Sequence, residues 1–294
     1  EKIQGILAEA GKALGLEDTQ NDRVQTAAMQ YVVRATKKPV ESPMLLHALL
    51  GETKVCSRVR ISEPHAFCAT KPGVRVAENV QTVTWPAERP GEKKVFFWQR
   101  VSPPSFEAQS ALIRRGYLII YEIDDDPYRW REAYEQNDYL ALRSCHAVQV
   151  STEPLADFIR QYNPHVAVFP NQLAVLPPPR EYREEPVHLF FGALNREQDW
   201  PELIPYINEC LTAVPHTVTV LHDRQFFDAL ATEHKNFVPF CPYQQYQQLL
   251  SQAHIAFLPL ADVRFNWMKS DLKFLECAAH GVVALASPVV YRDS

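Results

Sequence analysis

From about residue 53 onward, short apolar runs alternate with helix-patterned stretches, and this alternation leaves few architectures open. Strands separated by helices cannot pair as hairpins. They are joined by crossovers and lie parallel, so the chain is expected to build open α/β sheets with helices on their faces. Val95 to Trp98, Tyr117 to Ile123, Ala147 to Val150 and Val166 to Phe169 read as strands. Between the first two, Pro103 and Pro104 open a helix that runs through Arg115 and stops at Gly116. Proline is tolerated in a first helical turn, and glycine takes the left-handed position after the last. A further helix fits about Pro154 to Tyr162.

The pattern is interrupted once, at Leu176-Pro177-Pro178-Pro179-Arg180, followed by Glu181, Arg183, Glu184, Glu185 and Pro186. Consecutive prolines stiffen the chain and cannot enter a sheet interior, and the charged residues after them have nothing to bury. This is the expected boundary between two Rossmann-like lobes, 51–178 and 187–294. Beyond it, strands are expected at Val187 to Phe191, Thr217 to Leu221, Phe237 to Phe240, Ile255 to Leu258 and Val282 to Ser287. Helices fit at about 198–212, 224–233, 243–252 and 270–280. Two such sheets joined by a hinge would leave a cleft, with ligands at the carboxyl ends of the strands.

Residues 1–50 read as a helical extension. Val24, Ala27, Ala28, Tyr31 and Val32 share one helical face, and a weaker pattern over Lys2 to Leu14 precedes a break at Gly15. Such a segment would serve as a small cap, a dimer element, the tail of an upstream domain or a docking module for a protein partner. The net charge of −5 argues against a nucleic-acid binder, because neutralising phosphates takes a basic surface. No apolar run approaches a membrane span, and Glu1 to Gln30 lacks the pattern of a signal peptide. Cys56, Cys68, Cys145, Cys210, Cys241 and Cys277 form no C-x-x-C pair. They read as reduced, buried thiols of a cytoplasmic protein, and no clustered ligands suggest a metal.

The segment richest in chemistry runs from Asn266 to Gly281. A polar loop leads into a helix whose inner face carries Leu272, Leu275 and Ala279. A helix N-terminus at the mouth of a sheet offers free N–H groups and partial positive charge to a diphosphate. Lys269 adds a full charge, Ser270 a hydroxyl, and Glu276 a carboxylate that could accept hydrogen bonds from ribose. The bland alternative is a surface helix capped by Ser270 or Asp271, with Lys269 and Lys273 in solvent.

The string KSDLKFLECAAHGVVALAS resembles the donor-nucleotide motif of GT-B glycosyltransferases of the family 4 type. Phe190 to Arg196 resembles the first strand and glycine turn of their donor lobe. Val220 to Asp223, ending in His222-Asp223, sits where the second strand reaches the nucleotide. Phe237 to Phe240 with Tyr243 to Leu250 resembles the elements that flank the base, and Ala253 to Pro259 the strand before the donor loop. In the first lobe, Val55 to Pro64 resembles the opening strand and turn, followed by Gly73-Val74-Arg75-Val76 as a second strand. The resemblance implies that Glu276 binds the donor ribose, that Lys269 and Ser270 belong to the diphosphate loop, and that Arg196 clamps the diphosphate in place of a metal. His222 and Phe240 join the donor site. The departures are Met268, where many members carry a second acid, and the missing glycine-rich loop of the first lobe, in a chain of 9 Gly and 23 Pro. The chain stops at Ser294, soon after the last motif strand, so the expectation is a minimal lobe or a piece of a longer protein.

Glu122-Ile123-Asp124-Asp125-Asp126 ends a strand and should face the cleft. Clustered carboxylates suit a divalent cation, but this segment is far in sequence from the nucleotide motif. Acceptor binding or general-base work by Asp124 and Asp125 is favoured, with turn capping as the bland alternative. Gln99, Arg100 and Asp126 are acceptor-side candidates, and a salt bridge from Arg100 to the acidic turn is as plausible a role. His65 is a candidate base, although a lone histidine is more often structural. Ser151, Thr152 and Asn171 fit ordinary caps or turns.

The combined expectation is transfer of a hexose from a UDP- or GDP-sugar to a glycan or lipid-linked acceptor, with no cofactor beyond the donor. Retention of configuration and metal independence follow from the resemblance alone. The expected setting is polysaccharide assembly in the cytoplasm, peripheral to the inner face of the membrane. The rivals are a catalytically inactive GT-B-like interaction protein, an epimerase or phosphorylase on the same scaffold, and one part of a larger multidomain enzyme.

Overall fold

The computed structural model describes residues 43–51, 55–100, 104–180, 186–192 and 194–294. The chain divides into two compact units, with the division in sequence between Val175 and Leu176, at the head of the proline run.

The first unit holds a six-stranded parallel sheet. Its strands are β1 (Met44–Leu50), β2 (Val74–Val80), β3 (Lys93–Gln99), β4 (Tyr117–Ile123), β5 (Ala147–Val150) and β6 (Val166–Val168), in the order β2-β1-β3-β4-β5-β6. The helical extension expected up to residue 50 is corrected here, because Met44–Leu50 is a strand flanked by β2 and β3. Met-Leu-Leu-His-Ala-Leu-Leu has no polar face, and periodicity cannot separate such a run from a buried helix. A central parallel strand, covered on both faces, demands that composition. Residues 1–42, with the Val24 to Val32 stripe, lie outside the described residues.

The opening strand expected over Val55 to Pro64 is also corrected. That stretch is α1 (Val55–Ser57), a π-helical turn (Arg58–Ser62) and the start of α2 (Glu63–Ala69). Val59 and Ile61 alternate with arginines and so mimic a strand. However, the chain must return from the carboxyl end of β1 to the start of the parallel β2, and a helix makes that crossover. Further on, α3 (Phe106–Arg114) begins after the prolines. Ser105 caps it by accepting from Ala108 N at 3.2 Å. Gly116 follows at φ +77°, the left-handed position only glycine takes without strain. The turns α4 (Arg131–Glu135) and α5 (Leu140–Arg143) and helix α6 (Glu153–Ile159) complete this unit.

The second unit holds five parallel strands, β7 (Val187–Gly192), β8 (His216–Leu221), β9 (Lys235–Val238), β10 (Ile255–Leu258) and β11 (Val283–Ala286), in the order β11-β10-β7-β8-β9. Successive residues of a strand point to opposite faces, and the two cores follow that rule. Phe190, Leu221 and Ala256 pack with Tyr246 and Leu250 of α9 (Tyr243–Gln252) and Cys277 of α11 (Leu272–Ala279). Phe191, Val220 and Phe257 pack with Leu211 of α7 (Ile204–Ala213) and Phe226 of α8 (Arg224–Ala229). Over β10 and β11 the second face stays open. Val283 and Leu285 are 61% and 56% exposed, and a cavity of about 420 Å³ lies between this face and α7. The short helices α10 (Arg264–Trp267) and α12 (Pro288–Tyr291) complete the unit.

β7 ends in Gly192, where a Cβ would meet the Phe190 ring at 2.4 Å and the Tyr246 ring at 3.2 Å. Both rings are packed in the core and have little room to yield. Gly192→Ala is therefore expected to lower the unfolding free energy by about 1–3 kcal/mol. Denaturant titration checks this, and an unchanged midpoint would show that the ring can turn aside.

Candidate functional site

In the second sheet the strand order reverses between β7 and β10, so the loops that leave these two strands flank the point where open α/β sheets bind ligands. After β7 the chain turns through Asn195 at φ +55°, a conformation asparagine tolerates, and presents Arg196. Arg196 Nη1 lies 3.1 Å from Asp199 Oδ2 and donates to Asn266 Oδ1 of α10 at 3.2 Å. Asp199 Oδ1 accepts from Ala261 N at 3.0 Å and from Asn266 Nδ2 at 2.7 Å. Asn266 Nδ2 also donates to the Ala261 carbonyl at 3.0 Å. Arg196 is thus pinned across the two loops. Lys269 and Ser270 follow directly, half-buried between α10 and α11, with the Lys269 ammonium 4.1 Å over the Phe265 ring. On the neighbouring strand ends, His222 and Phe240 are exposed and meet edge to face at 6.3 Å. Of the expected donor residues, the structure joins Arg196 with the loop of Lys269 and Ser270, and His222 with Phe240.

Glu276 has a different environment. It is fully buried within α11. Oε1 accepts from Tyr243 OH at 2.7 Å and Gln247 Nε2 at 3.1 Å, and Oε2 accepts from Tyr246 OH at 2.8 Å. Lys273 Nζ lies 3.5 Å from Oε2 and 3.8 Å over the Tyr246 ring. Burial and the facing carboxylate push the Tyr246 phenol well above its usual range, so its hydroxyl stays a donor. The carboxylate therefore ties α11 to α9, and its half-buried partners are Tyr243 and Gln247.

In the first unit the acidic turn at the end of β4 is neutralised from within. Glu122 is fully buried, and Oε1 accepts from Arg60 Nε of the π-helical turn at 2.7 Å. Arg60 Nη1 donates to the Phe169 carbonyl and, at 2.9 Å, to Asn171 Oδ1, which ties the π-helical turn, β4 and the segment after β6 together. Arg100, at φ +44° just after β3, pairs with Asp125 and lies 3.1 Å from Asp124. The two aspartates raise the Arg100 guanidinium further, although burial works against its charge. Asp126 Oδ1 accepts from Tyr128 N at 3.0 Å and caps the 3-10 turn Pro127–Trp130. Gln99 is 1% exposed beside Glu122 in the register. His65 is fully buried, its ring 4.8 Å from Phe97 and Nδ1 3.4 Å from Glu78. Arg100 also donates to Cys56, whose thiol burial and Asp124 push well above its ordinary value. Cys68, Cys145, Cys241 and Cys277 are buried, whereas Cys210 is exposed. Among the described residues no three His, Cys, Asp or Glu side chains are grouped to hold a metal ion. No described helix is long and apolar enough to cross a membrane.

Sequence reasoning missed Asp199 and Asn266 as partners of Arg196, and Tyr243, Tyr246 and Gln247 as partners of Glu276. Tyr243, Tyr246 and Gln247 do share a helix face at spacings of three and four, which was a usable signal.

The chain matches no protein-family model and no curated protein. Among solved structures, a mutant of the O-GlcNAc transferase of Thermobaculum terrenum aligns over 96% of this chain, at 14% identity and a TM-score of 0.50. The fold is GT-B. The chain spans 65% of the length of that transferase. The glycosyltransferase of kitacinnamycin aligns over 84% of this chain and 81% of its own, at 11% identity and a TM-score of 0.46. A putative UDP-N-acetylglucosamine 2-epimerase from Listeria monocytogenes aligns over 74% of each chain, at 8% identity and a TM-score of 0.46.

Burial pushes Glu122 up to about 7 from an ordinary 4.5, against the pull of Arg60. An acid whose folded value lies above its unfolded one stabilises the fold below the unfolded value and loses that contribution as pH rises through the folded value. Stability is therefore expected to fall between about pH 5 and about pH 8, and Glu122→Gln to flatten that slope. Equal slopes in both proteins would sink the assignment. Glu276→Ala strands three donors and is expected to cost about 3 kcal/mol in chemical denaturation, and a loss below about 1 kcal/mol would mean that α9 and α11 do not depend on it.

Proposed function

We propose that this chain is a glycosyltransferase that moves a hexose from a UDP- or GDP-sugar to a glycan or lipid-linked acceptor. The observation that carries the reading is Arg196 held across the β7 and β10 loops at the switch point of the second sheet, with Lys269 and Ser270 shortly after its partner Asn266 in the chain. In the transfer, the bond between the anomeric carbon and the diphosphate oxygen breaks, and an acceptor hydroxyl oxygen bonds to that carbon. The diphosphate leaves with the negative charge, and a guanidinium and an ammonium stabilise it without a metal. On this reading a ribose hydroxyl replaces Tyr243 or Gln247 on Glu276, while His222 and Phe240 border the base. Asp124 or Asp125, released from Arg100, takes the acceptor proton, with Gln99, Arg100 and Asp126 on the acceptor side. Retention of configuration and independence of metal belong to the proposal through the family 4 resemblance. So do polysaccharide assembly, a cytoplasmic setting at the inner face of the membrane, and a protein contact through the residues that precede β1.

Glu276 saturated by Tyr243, Tyr246 and Gln247, and Asp124 and Asp125 paired with Arg100, favour a second reading: a GT-B interaction protein without turnover.

Calorimetric titration with UDP and GDP, with and without Mg²⁺, tests the first reading. Binding of one nucleotide is expected, insensitive to Mg²⁺ and weakened about tenfold, or 1.4 kcal/mol, by Glu276→Gln. No binding of either by folded protein would overturn it. Tight binding with no release of sugar from UDP- or GDP-hexoses would favour the second.

A further inference from the structure

Arg196 has a support that the donor reading leaves without a role. Two acceptors from different loops, Asp199 Oδ2 at 3.1 Å and Asn266 Oδ1 at 3.2 Å, converge on the same guanidinium nitrogen, Nη1. The support is itself locked. Asp199 Oδ1 takes two N–H donors, from Ala261 and Asn266, and Asn266 Nδ2 returns to the Ala261 carbonyl. Asn266 is 2% exposed and the Asp199 side chain 7%, while Arg196 keeps 12% of its own side chain open.

We infer that Asp199 and Asn266 are positioning residues that aim Arg196 at the diphosphate of the ligand, which rests on the donor-site reading above. A planar guanidinium binds two phosphate oxygens through two parallel N–H bonds, so its orientation decides the contact. A loose arginine must freeze its rotamers when it binds, and an arginine held at Nη1 has already done so. Both held contacts use Nη1, and on this inference the Nε–Nη2 edge of the fork is the one that meets the oxyanion. An unsupported aspartate would mainly cancel the arginine's charge. Here its second oxygen is satisfied by two N–H groups, which draw off part of its charge and leave orientation as its main effect. The tie also spans the two loops at the switch point, so the same contacts that hold the arginine hold the distance between the β7 and β10 ends.

The experiment is calorimetry with inorganic pyrophosphate on the full chain, for wild type, Asp199→Asn, Asn266→Ala, Arg196→Ala and the Asp199→Asn/Arg196→Ala double variant. Asp199→Asn keeps the shape of the buried side chain, so it reports even if Asn266→Ala folds poorly. Positioning predicts that Asp199→Asn weakens pyrophosphate binding about tenfold, and that the double variant is no weaker than Arg196→Ala alone. Tighter binding by Asp199→Asn would mean that Asp199 only neutralises Arg196. A lowered melting temperature with unchanged affinity would mean a purely structural tie, and no pyrophosphate binding by folded wild type would mean no anion site. Each of these three overturns the inference. The donor reading fails separately if pyrophosphate binds through Arg196 while UDP and GDP bind no more tightly than pyrophosphate does.

Discussion

Parallel pairing is the constraint on which the rest of this molecule depends. Every described strand in both sheets runs the same way as its neighbours, so the connections are crossovers, and helices cover the sheet faces except over β10 and β11 on one side. Polar chemistry is then pushed to the strand ends. Arg196, His222, Gln99, Arg100 and the acidic turn after β4 all lie at or just beyond carboxyl ends, and Lys269 lies in the longer connection that follows β10. The two sheets reverse their order at different places, between β1 and β3 in one and between β7 and β10 in the other. At the first reversal Gly51 allows close approach, since a Cβ there would lie 3.3 Å from the carbonyls of Gln99 and Arg100.

Charge inside the fold is handled by the same economy in both units. A buried carboxylate is costly unless paired and hydrogen-bonded, and Glu122 and Glu276 each have protein partners. Glu122 binds Arg60, which also reaches the end of β6 through Phe169 and Asn171. Glu276 gathers two tyrosine hydroxyls, an amide and Lys273 between two helices. Such networks fix which helix face meets which neighbour. They also leave a carboxylate that can exchange a partner for a ligand hydroxyl only where the partner is near the surface, which for Glu276 means Tyr243 and Gln247.

Much of the architecture was legible because the α/β rhythm is written in local patterns. Tyr117–Ile123, Ala147–Val150 and Ile255–Leu258 have the expected bounds, as does the helix Tyr243–Gln252. The misreadings fell where local pattern is degenerate. The apolar run of β1 has no periodicity to read, and the Val59–Ile61 alternation sits inside a helical crossover with a π-turn. Within the candidate site, Arg196 and Lys269 could be picked out by type and place, since cations after strands are visible in one dimension. Their supports could not, because Asp199 and Asn266 are 67 residues apart and meet only when β7 and β10 become neighbours.

The sequence by itself determined that this is a parallel α/β chain broken at a proline run, because apolar spacing and proline chemistry act over a few residues. It also determined which side chains could do chemistry. Tertiary structure alone decided what those side chains face. Asp124, Asp125 and Asp126 are equivalent in one dimension, yet two pair with Arg100 and one caps a turn. Glu276 reads as a ligand-binding acid, yet it is shared among donors on α9. The physical reason is that the worth of a charge depends on its burial and its neighbours, and strand order sets both.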